Sequence, residues 1–286
     1  LSLEVIRYLQ SFSSPFMDMF AQGITMLGED TLFILLAVIL IWCVDKKFGY
    51  KFGFVALTSA LVNITLKNIF KSPRPVGQEG IRSLRLETAG GYSFPSGHSQ
   101  FAATSWTTLA LHLRKRWFSI LAGVLIVLVG LSRLYLGVHW PVDVVFGIAI
   151  GAIWAFLGSK IIDLLEEKPV SYLVLGAALL LALPIFQNAD YFKVVAACSG
   201  ICIGIFLEGK YVGYTVKAPL LIQLIKALLG VAVLLGIQNG LKLILPDKLI
   251  SHGLRYFLIG IWATFLAPLC FKAIFKLKNQ VEKSAS

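Results

Sequence analysis

Residues 132–143 read Ser-Arg-Leu-Tyr-Leu-Gly-Val-His-Trp-Pro-Val-Asp. They place a guanidinium, an imidazole and a carboxylate at fixed spacing where one apolar stretch ends and another begins. Proline suits the first turn of a helix, where its missing N–H would have no partner anyway. Pro141 therefore predicts a helix start that puts Asp143 in the first turn and His139 just before it, within reach of the carboxylate. A carboxylate on one ring nitrogen fixes the tautomer and raises the basicity of the other. Arg133 adds a fork of donors suited to an anionic oxygen. Together these residues offer nucleophilic attack on a phosphate. The plainer alternative is a histidine and an aspartate that cap a buried helix end, and the other polar clusters decide between the two.

One such cluster is Leu66-Lys67-Asn68-Ile69-Phe70-Lys71-Ser72-Pro73-Arg74-Pro75. Lys67 is expected in the last two turns of an apolar helix, and Arg74 in a stiff, extended stretch between two prolines. Taken alone they would meet lipid headgroups, but their spacing also lets both converge on one anion. The other cluster is Tyr92-Ser93-Phe94-Pro95-Ser96-Gly97-His98-Ser99. Pro95 again predicts a helix start, so the N–H groups of Ser96, Gly97 and His98 would be donors at the positive end of a helix dipole. Gly97 lets the backbone approach phosphate oxygens, the Ser96 hydroxyl adds a donor, and His98 is placed to protonate a leaving oxygen. A plain cap and turn is the alternative. Two histidines, one carboxylate and three cations gathered at one membrane face would be costly without an anionic ligand. No histidine or carboxylate cluster has the spacing of a metal site, and no cofactor is expected.

Lys67-x6-Arg74-Pro75, Pro95-Ser96-Gly97-His98 and Ser132-Arg133-x5-His139-x3-Asp143 together resemble the type-2 phosphatidic acid phosphatase superfamily. All three signature blocks are present in the family's order, over residues 67–143. The resemblance implies a metal-independent phosphatase with a phosphohistidine intermediate. By that likeness His139 attacks phosphorus, Asp143 orients it and His98 protonates the leaving group. Lys67, Arg74, Ser96, Gly97 and Arg133 would hold the phosphoryl oxygens.

The elements that must position these residues are set by composition. The chain has 286 residues, 57% hydrophobic and 14% charged, with mean hydropathy +0.81. Soluble domains carry about 25% charged residues, so the expectation is an all-α, polytopic transmembrane helical bundle. Residues 1–22 alternate apolar and polar at helical spacing with Pro15 as a break, and predict a short interfacial amphipathic segment. About nine spans follow, near 24–44, 52–70, 97–113, 117–136, 142–163, 170–187, 191–207, 218–238 and 254–274. Spans one to five, residues 23–168, are expected to form the catalytic core, and residues 169–286 a transmembrane extension. That extension could pack on the core, mediate a homo-oligomer or line a second pathway.

The net charge of +11 lies largely in short loops, where it meets anionic lipid rather than nucleic acid. Asp45-Lys46-Lys47 and Arg114-Lys115-Arg116, with Lys272, Lys276, Lys278 and Lys283 at the carboxyl end, are assigned to the cytoplasmic side. The active site then faces outside, and the expected location is a bacterial inner (plasma) membrane. Lys226, inside the eighth span, is expected to snorkel toward the cytoplasm. Arg82 and Arg85 either meet a headgroup or solvate their loop.

The favoured substrate is a lipid phosphate or a polyisoprenyl diphosphate, reached sideways from the bilayer between apolar walls of Leu66, Ile69, Phe70, Phe94 and Phe101. A glucose-6-phosphatase-like sugar phosphatase is the alternative within the same chemistry. A lipid-phosphate transporter or flippase using the same pocket is the alternative of another class. An intact His98, His139 and Asp143 argues for catalysis, since binding alone needs no nucleophile.

Overall fold

The computed structural model describes residues 2–275, and Lys276, Lys278 and Lys283 lie outside them. In chain order the helices are α1 Ser2–Gln10, α2 Pro15–Met26, α3 Asp30–Ile39, α4 Lys46–Phe70, α5 Gly97–Leu113, α6 Arg116–Tyr135 and α7 Pro141–Glu167. Then come α8 Val170–Leu181, α9 Ala189–Leu207, α10 Leu220–Ile244, α11 Leu249–Ile261 and α12 Ala267–Ile274. π-Helical turns follow α3 (Leu40–Val44), α9 (Glu208–Val212) and α11 (Trp262–Leu266). Among the described residues there is no strand, so the fold is all-α as composition predicts.

Among the described residues, six stretches are long and apolar enough to cross a membrane: Lys46–Phe70, Arg116–Tyr135, Pro141–Glu167, Ala189–Val212, Leu220–Ile244 and Leu249–Ile274. A seventh counts if α2 and Asp30–Val44, bent by 42°, form one broken span. The nine apolar stretches read from the sequence are thus helical, but only six described helices reach spanning length unaided. α5 has 17 residues and buries Ser99, Gln100, Thr104, Ser105 and Thr108. Val170–Ile185 is also short. The first expected span, 24–44, is interrupted because α2 ends at Met26 and α3 begins at Asp30. Trp117, Ile120, Val145, Leu164, Leu228 and Leu243 all present exposed apolar side chains. Apolar surface on that scale belongs in lipid, and the chain is an integral membrane protein.

Local sequence explains the helix ends that matter here. Ser14 caps α2, its side chain accepting from Met17 N–H, and Pro15 opens the helix rather than breaking it. Ser96 caps α5, so Pro95 lies one residue ahead of the cap instead of in the first turn. Pro141 opens α7 as its spacing predicts.

By contacts the chain divides into two compact units, Leu1–Phe33 with Thr58–Ser159, and Ile34–Leu57 with Lys160–Ser286. In the first unit, α7 lies directly on α5. A Cβ added at Gly147 would stand 2.8 Å from the Ser96 carbonyl oxygen, and one at Gly151 would stand 2.3 Å from that of Gln100. Small residues at such contacts let helix backbones approach closely in membranes. A buried polar ladder continues the seam. The Asn63 amide donates to Gln100 Oε1 (2.9 Å), Gln100 donates to the Ser59 carbonyl (2.8 Å), and Thr104 donates to the Gly151 carbonyl (3.1 Å). Ser59, Asn63 and Lys67 are spaced four residues apart, one polar stripe along α4.

In the second unit, Lys226 does not snorkel. Its ammonium is buried and donates to the Trp42 carbonyl (2.9 Å), the Tyr214 hydroxyl (2.8 Å) and the Val216 carbonyl (3.1 Å). Glu208, also buried, accepts from Lys46 (2.9 Å), the Tyr50 hydroxyl (3.1 Å) and Tyr214 N–H (2.6 Å). Three donors satisfied within protein remove the drive toward the aqueous phase.

The α5–α7 contact yields a stability prediction. Gly151→Ala forces its methyl onto a carbonyl oxygen and is expected to cost about 1–3 kcal/mol. Gly123→Ala, where an added Cβ meets nothing within 4 Å, is expected to be neutral. Thermal unfolding in detergent, monitored for both variants, checks the difference.

Candidate active site

The stretch 136–140 between α6 and α7 carries His139, and the first turn of α7 carries Asp143. His139 is 2% exposed and Asp143 0%. His139 Nδ1 lies 3.3 Å from Asp143 Oδ2. That same oxygen accepts from the Ser93 hydroxyl at 2.5 Å and from Trp140 N–H at 2.8 Å. On the other side of the ring, Arg74 Nη1 lies 2.9 Å from His139 Nε2. A guanidinium can only donate, so Nε2 must hold its lone pair outward. The proton is therefore on Nδ1 and is donated to Asp143. Burial, and then the positive charges of Arg74, Arg133 and Lys67, hold the imidazole well below its usual pKa and so neutral. A buried, neutral imidazole with a fixed tautomer and an unprotonated nitrogen facing a guanidinium is equipped for nucleophilic attack on an anionic ester.

Arg74 is held by more than His139. It donates to the carbonyls of Gly90 (2.7 Å), Gly91 (3.0 Å) and Val138 (2.9 Å). Lys67, buried at the end of α4, donates to the carbonyls of Tyr92 (2.5 Å) and Ser93 (3.3 Å). Arg74 also reaches the Tyr92 carbonyl, at 3.2 Å. The two cations thus share the Tyr92 carbonyl oxygen, a neutral acceptor.

Ser96 and Gly97 open α5 beside this cluster, and Ser96 N–H donates to the Asp143 carbonyl at 3.0 Å. That N–H is therefore committed to structure, contrary to the expectation that it serves an anion. Gly97 and His98 remain as first-turn donors that lack intrahelical acceptors. The Ser96 hydroxyl is fully buried and shares a hydrogen bond with Ser99 Oγ at 2.9 Å. A Cβ at Gly97 would meet only Asn63 Oδ1, at 3.5 Å, so packing does not demand glycine there.

Arg133 is fully buried, with Nη1 donating to Thr25 Oγ1 at 2.9 Å, while its Nε and Nη2 have no partner. His98 Nε2 and Asp143 Oδ1 are likewise buried without partners. Orphaned polar atoms are rare in folded proteins, and each calls for an explanation such as a ligand. Among the described residues, no group of three or more His, Cys, Asp or Glu side chains is arranged to hold a metal ion.

The structure adds residues that sequence reasoning passed over. Ser93 stood within a motif, but nothing in its spacing marked it as a partner of Asp143. Arg85 does not simply solvate its loop. It pairs with Glu29 and donates to the Gln22 carbonyl at 2.8 Å. Phe101, expected to flank the site, instead packs in the core against Phe33, with ring centroids 6.2 Å apart.

The tautomer can be tested directly. In ¹⁵N spectra of labelled histidine, His139 is expected to be neutral and Nδ1-protonated at about pH 7, and still neutral near its usual pKa of about 6.5. Arg74→Gln removes the nearby positive charge that depresses the imidazole most and is expected to move the titration upward.

Comparison with known proteins places this chain in a family. Residues 48–166 match the PAP2 superfamily, and residues 192–280 match the PAP2 superfamily phosphatase transmembrane extension. Phosphatidylglycerophosphatase B of Bacillus subtilis is 35% identical over 156 residues, covering 50% of this chain and 74% of the relative. An undecaprenyl-diphosphatase of Sulfolobus acidocaldarius is 33% identical over 125 residues, covering 44% of this chain and 60% of the relative. The crystal structure of a transmembrane PAP2-type phosphatidylglycerolphosphate phosphatase from Bacillus subtilis aligns with a TM-score of 0.49 at 30% identity, covering 56% of this chain and 83% of that one. With His139, Asp143, Arg74 and Lys67 assembled around residues 90–93 and a matched relative covered over most of its length, the chain belongs to the PAP2 superfamily of membrane phosphatases.

Proposed function

We propose that the chain hydrolyses a lipid phosphate or polyisoprenyl diphosphate through a phosphohistidine intermediate. The observation that carries this reading is the pair of contacts on His139, with Asp143 at Nδ1 and Arg74 at Nε2. Nε2 attacks phosphorus as the P–O bond to the leaving group breaks, and the leaving oxygen takes a proton from His98. Water then attacks the phosphohistidine, giving its proton to the same group and releasing phosphate. Asp143 holds the Nδ1 proton and balances the positive charge that forms on the ring. Arg74 leaves Nε2 for the phosphoryl oxygens, joined by Lys67, Arg133, the Ser96 hydroxyl and Gly97 N–H. Three cations and a helix amino terminus supply the charge stabilisation that phosphoryl transfer needs.

The names of the relatives and one aromatic cluster support a lipid substrate. Phe94 lies between Phe70 and Phe146, at centroid distances of 5.0 and 5.5 Å. Phe70 and Phe146 are both exposed, with Ile69, Val142 and Val145 beside them in sequence and exposed too. An apolar wall next to the site lets tails stay in the bilayer while the phosphate enters. The short basic loops favour an active site on the outer face of a bacterial inner membrane. We assign catalysis to residues 23–168 and a supporting role to the extension at 169–286, with 1–22 as the interfacial segment.

His139→Ala is expected to abolish turnover, and Asp143→Asn to lower it by about 10⁴-fold, both measured in excess chelator. Acid-labile phosphate on His139 should be trapped in the wild type. An activated aryl phosphate should rescue His98→Ala but not His139→Ala, because a good leaving group needs no proton. Full turnover by His139→Ala would overturn the mechanism.

Substrate class is checked separately. Catalytic efficiency should rise with acyl-chain length at equal surface concentration in mixed micelles, since each buried CH₂ contributes up to about 0.8 kcal/mol. A flat profile, with glucose 6-phosphate the better substrate, would favour the sugar phosphatase.

A further inference from the structure

The carbonyl groups that lead into His139 are all taken. Tyr135 is the last residue of α6, and Leu136, Gly137 and Val138 connect it to His139. The Leu136 carbonyl accepts from Leu84 N–H at 3.0 Å, that of Gly137 from the Ser83 hydroxyl at 3.1 Å, and that of Val138 from Arg74 at 2.9 Å. The Tyr135 carbonyl accepts from a distant part of the chain, the Gln10 side chain at the end of α1, at 2.8 Å.

Gln10 also grips the loop opposite. Its Nε2 donates to the Arg82 carbonyl at 2.6 Å, and its Oε1 accepts from Arg82 N–H at 3.0 Å. One amide therefore uses both ends, and clamps residue 82 to residue 135. Gly137 lies under the clamp with φ +67°, where a Cβ would stand 2.4 Å from the Arg82 carbonyl oxygen and 3.0 Å from Gln10 Nε2. Beside it, Asp18 of α2 accepts both terminal nitrogens of Arg82, at 2.7 and 2.6 Å, and the Tyr135 hydroxyl at 2.5 Å. The Asp18 pair fixes side chains, whereas Gln10 fixes the backbone from which His139 is suspended.

We propose that Gln10 is a positioning residue for phosphoryl transfer, setting where His139 Nε2 stands by tying the 135–138 turn to the backbone of residue 82. The proposal rests on the reading of His139 as nucleophile. Misplacing a reacting atom by about 1 Å can cost 10²-fold in rate. Substrate binding should be little affected, because Lys67 and Arg74 are held mainly by carbonyls of residues 90–93, with Val138 only one of four carbonyls on Arg74, and Arg133 is held by Thr25.

Gln10→Glu tests this with the shape preserved. The oxygen that accepts from Arg82 N–H remains, but a carboxylate oxygen now faces two carbonyls. Gln10→Ala removes all three hydrogen bonds. Arg7→Ala is the control, since Arg7 sits on the same helix and donates to the same loop at the Glu79 carbonyl (2.6 Å), away from the turn. With dioctanoyl phosphatidic acid in mixed micelles, both Gln10 variants should lose about 10- to 100-fold in kcat with KM within about twofold. Vanadate, which takes on the geometry of the transition state at Nε2, should weaken as an inhibitor by the factor lost in kcat. Arg7→Ala should keep its kcat within about twofold.

A loss confined to KM, an unchanged kcat in both Gln10 variants, or an equal loss in Arg7→Ala would overturn the proposal. Rapid-quench trapping separates this failure from that of the parent reading. Phosphohistidine forming in wild type and in Gln10→Glu at the same rate removes only the role of Gln10. No phosphohistidine in the wild type removes the nucleophile itself.

Discussion

The site depends on one carboxylate oxygen. Asp143 Oδ2 gathers an imidazole N–H and a backbone N–H from the 136–140 stretch and a serine hydroxyl from the segment ahead of α5. Charge-assisted hydrogen bonds of this kind are about twice as strong as neutral ones, and in a buried setting they are screened little by solvent. Asp143 occupies the first turn of α7, so its height is set by how closely α7 lies on α5. That distance in turn is set by Gly147 and Gly151, where a side chain would meet a carbonyl oxygen of α5. The Asp143 carbonyl, accepting from Ser96 N–H, ties the two helix starts together at the same level. Helix packing and site geometry are thus one constraint, expressed at two scales.

A second constraint is electrostatic. Lys67, Arg74 and Arg133 bring like charges into one low-dielectric region, which would repel without compensation. For Lys67 and Arg74 the compensation comes from carbonyl oxygens of residues 90–93. Arg133 is different, because two of its nitrogens have no partner. Neutral oxygens satisfy donors without cancelling charge, so the region keeps its attraction for an anion. The glycine-rich stretch Ala89-Gly90-Gly91 suits this purpose, because with no side chains at 90 and 91 both carbonyls can turn to one guanidinium.

The second unit has a polar interior of its own. Lys226 and Glu208 are each fully engaged by protein groups, and the three π-helical turns contribute to the arrangement. Trp42, in the first, donates to the Ala263 carbonyl in the third at 2.8 Å. The hydroxyl of Tyr50 bridges Glu208 in the second to the Thr264 carbonyl in the third. The first π-turn supplies the Trp42 carbonyl to Lys226, and the Tyr214 hydroxyl and Val216 carbonyl complete its acceptors without water.

Much was written in the sequence. Apolar stretches of helical length fixed an all-α membrane fold, because only helices satisfy a single chain segment's backbone in lipid. Pro141 marked the start of α7 and Pro95 that of α5 to within two residues, and the spacing from His139 to Asp143 brought their side chains together. These are local effects, acting within a turn or two of chain. What lies beyond that range was decided by tertiary structure. No local pattern distinguished Phe101, which packs in the core, from Phe94, which borders the site. Nor could spacing show that Ser93 serves Asp143, that Arg74 sits on Nε2, or that Gln10 reaches Tyr135 across 125 residues. Hydrophobic periodicity tells which face of a helix is apolar. It does not tell which distant polar group will meet it, because that partner is chosen by how helices approach once their own hydrogen bonds are complete.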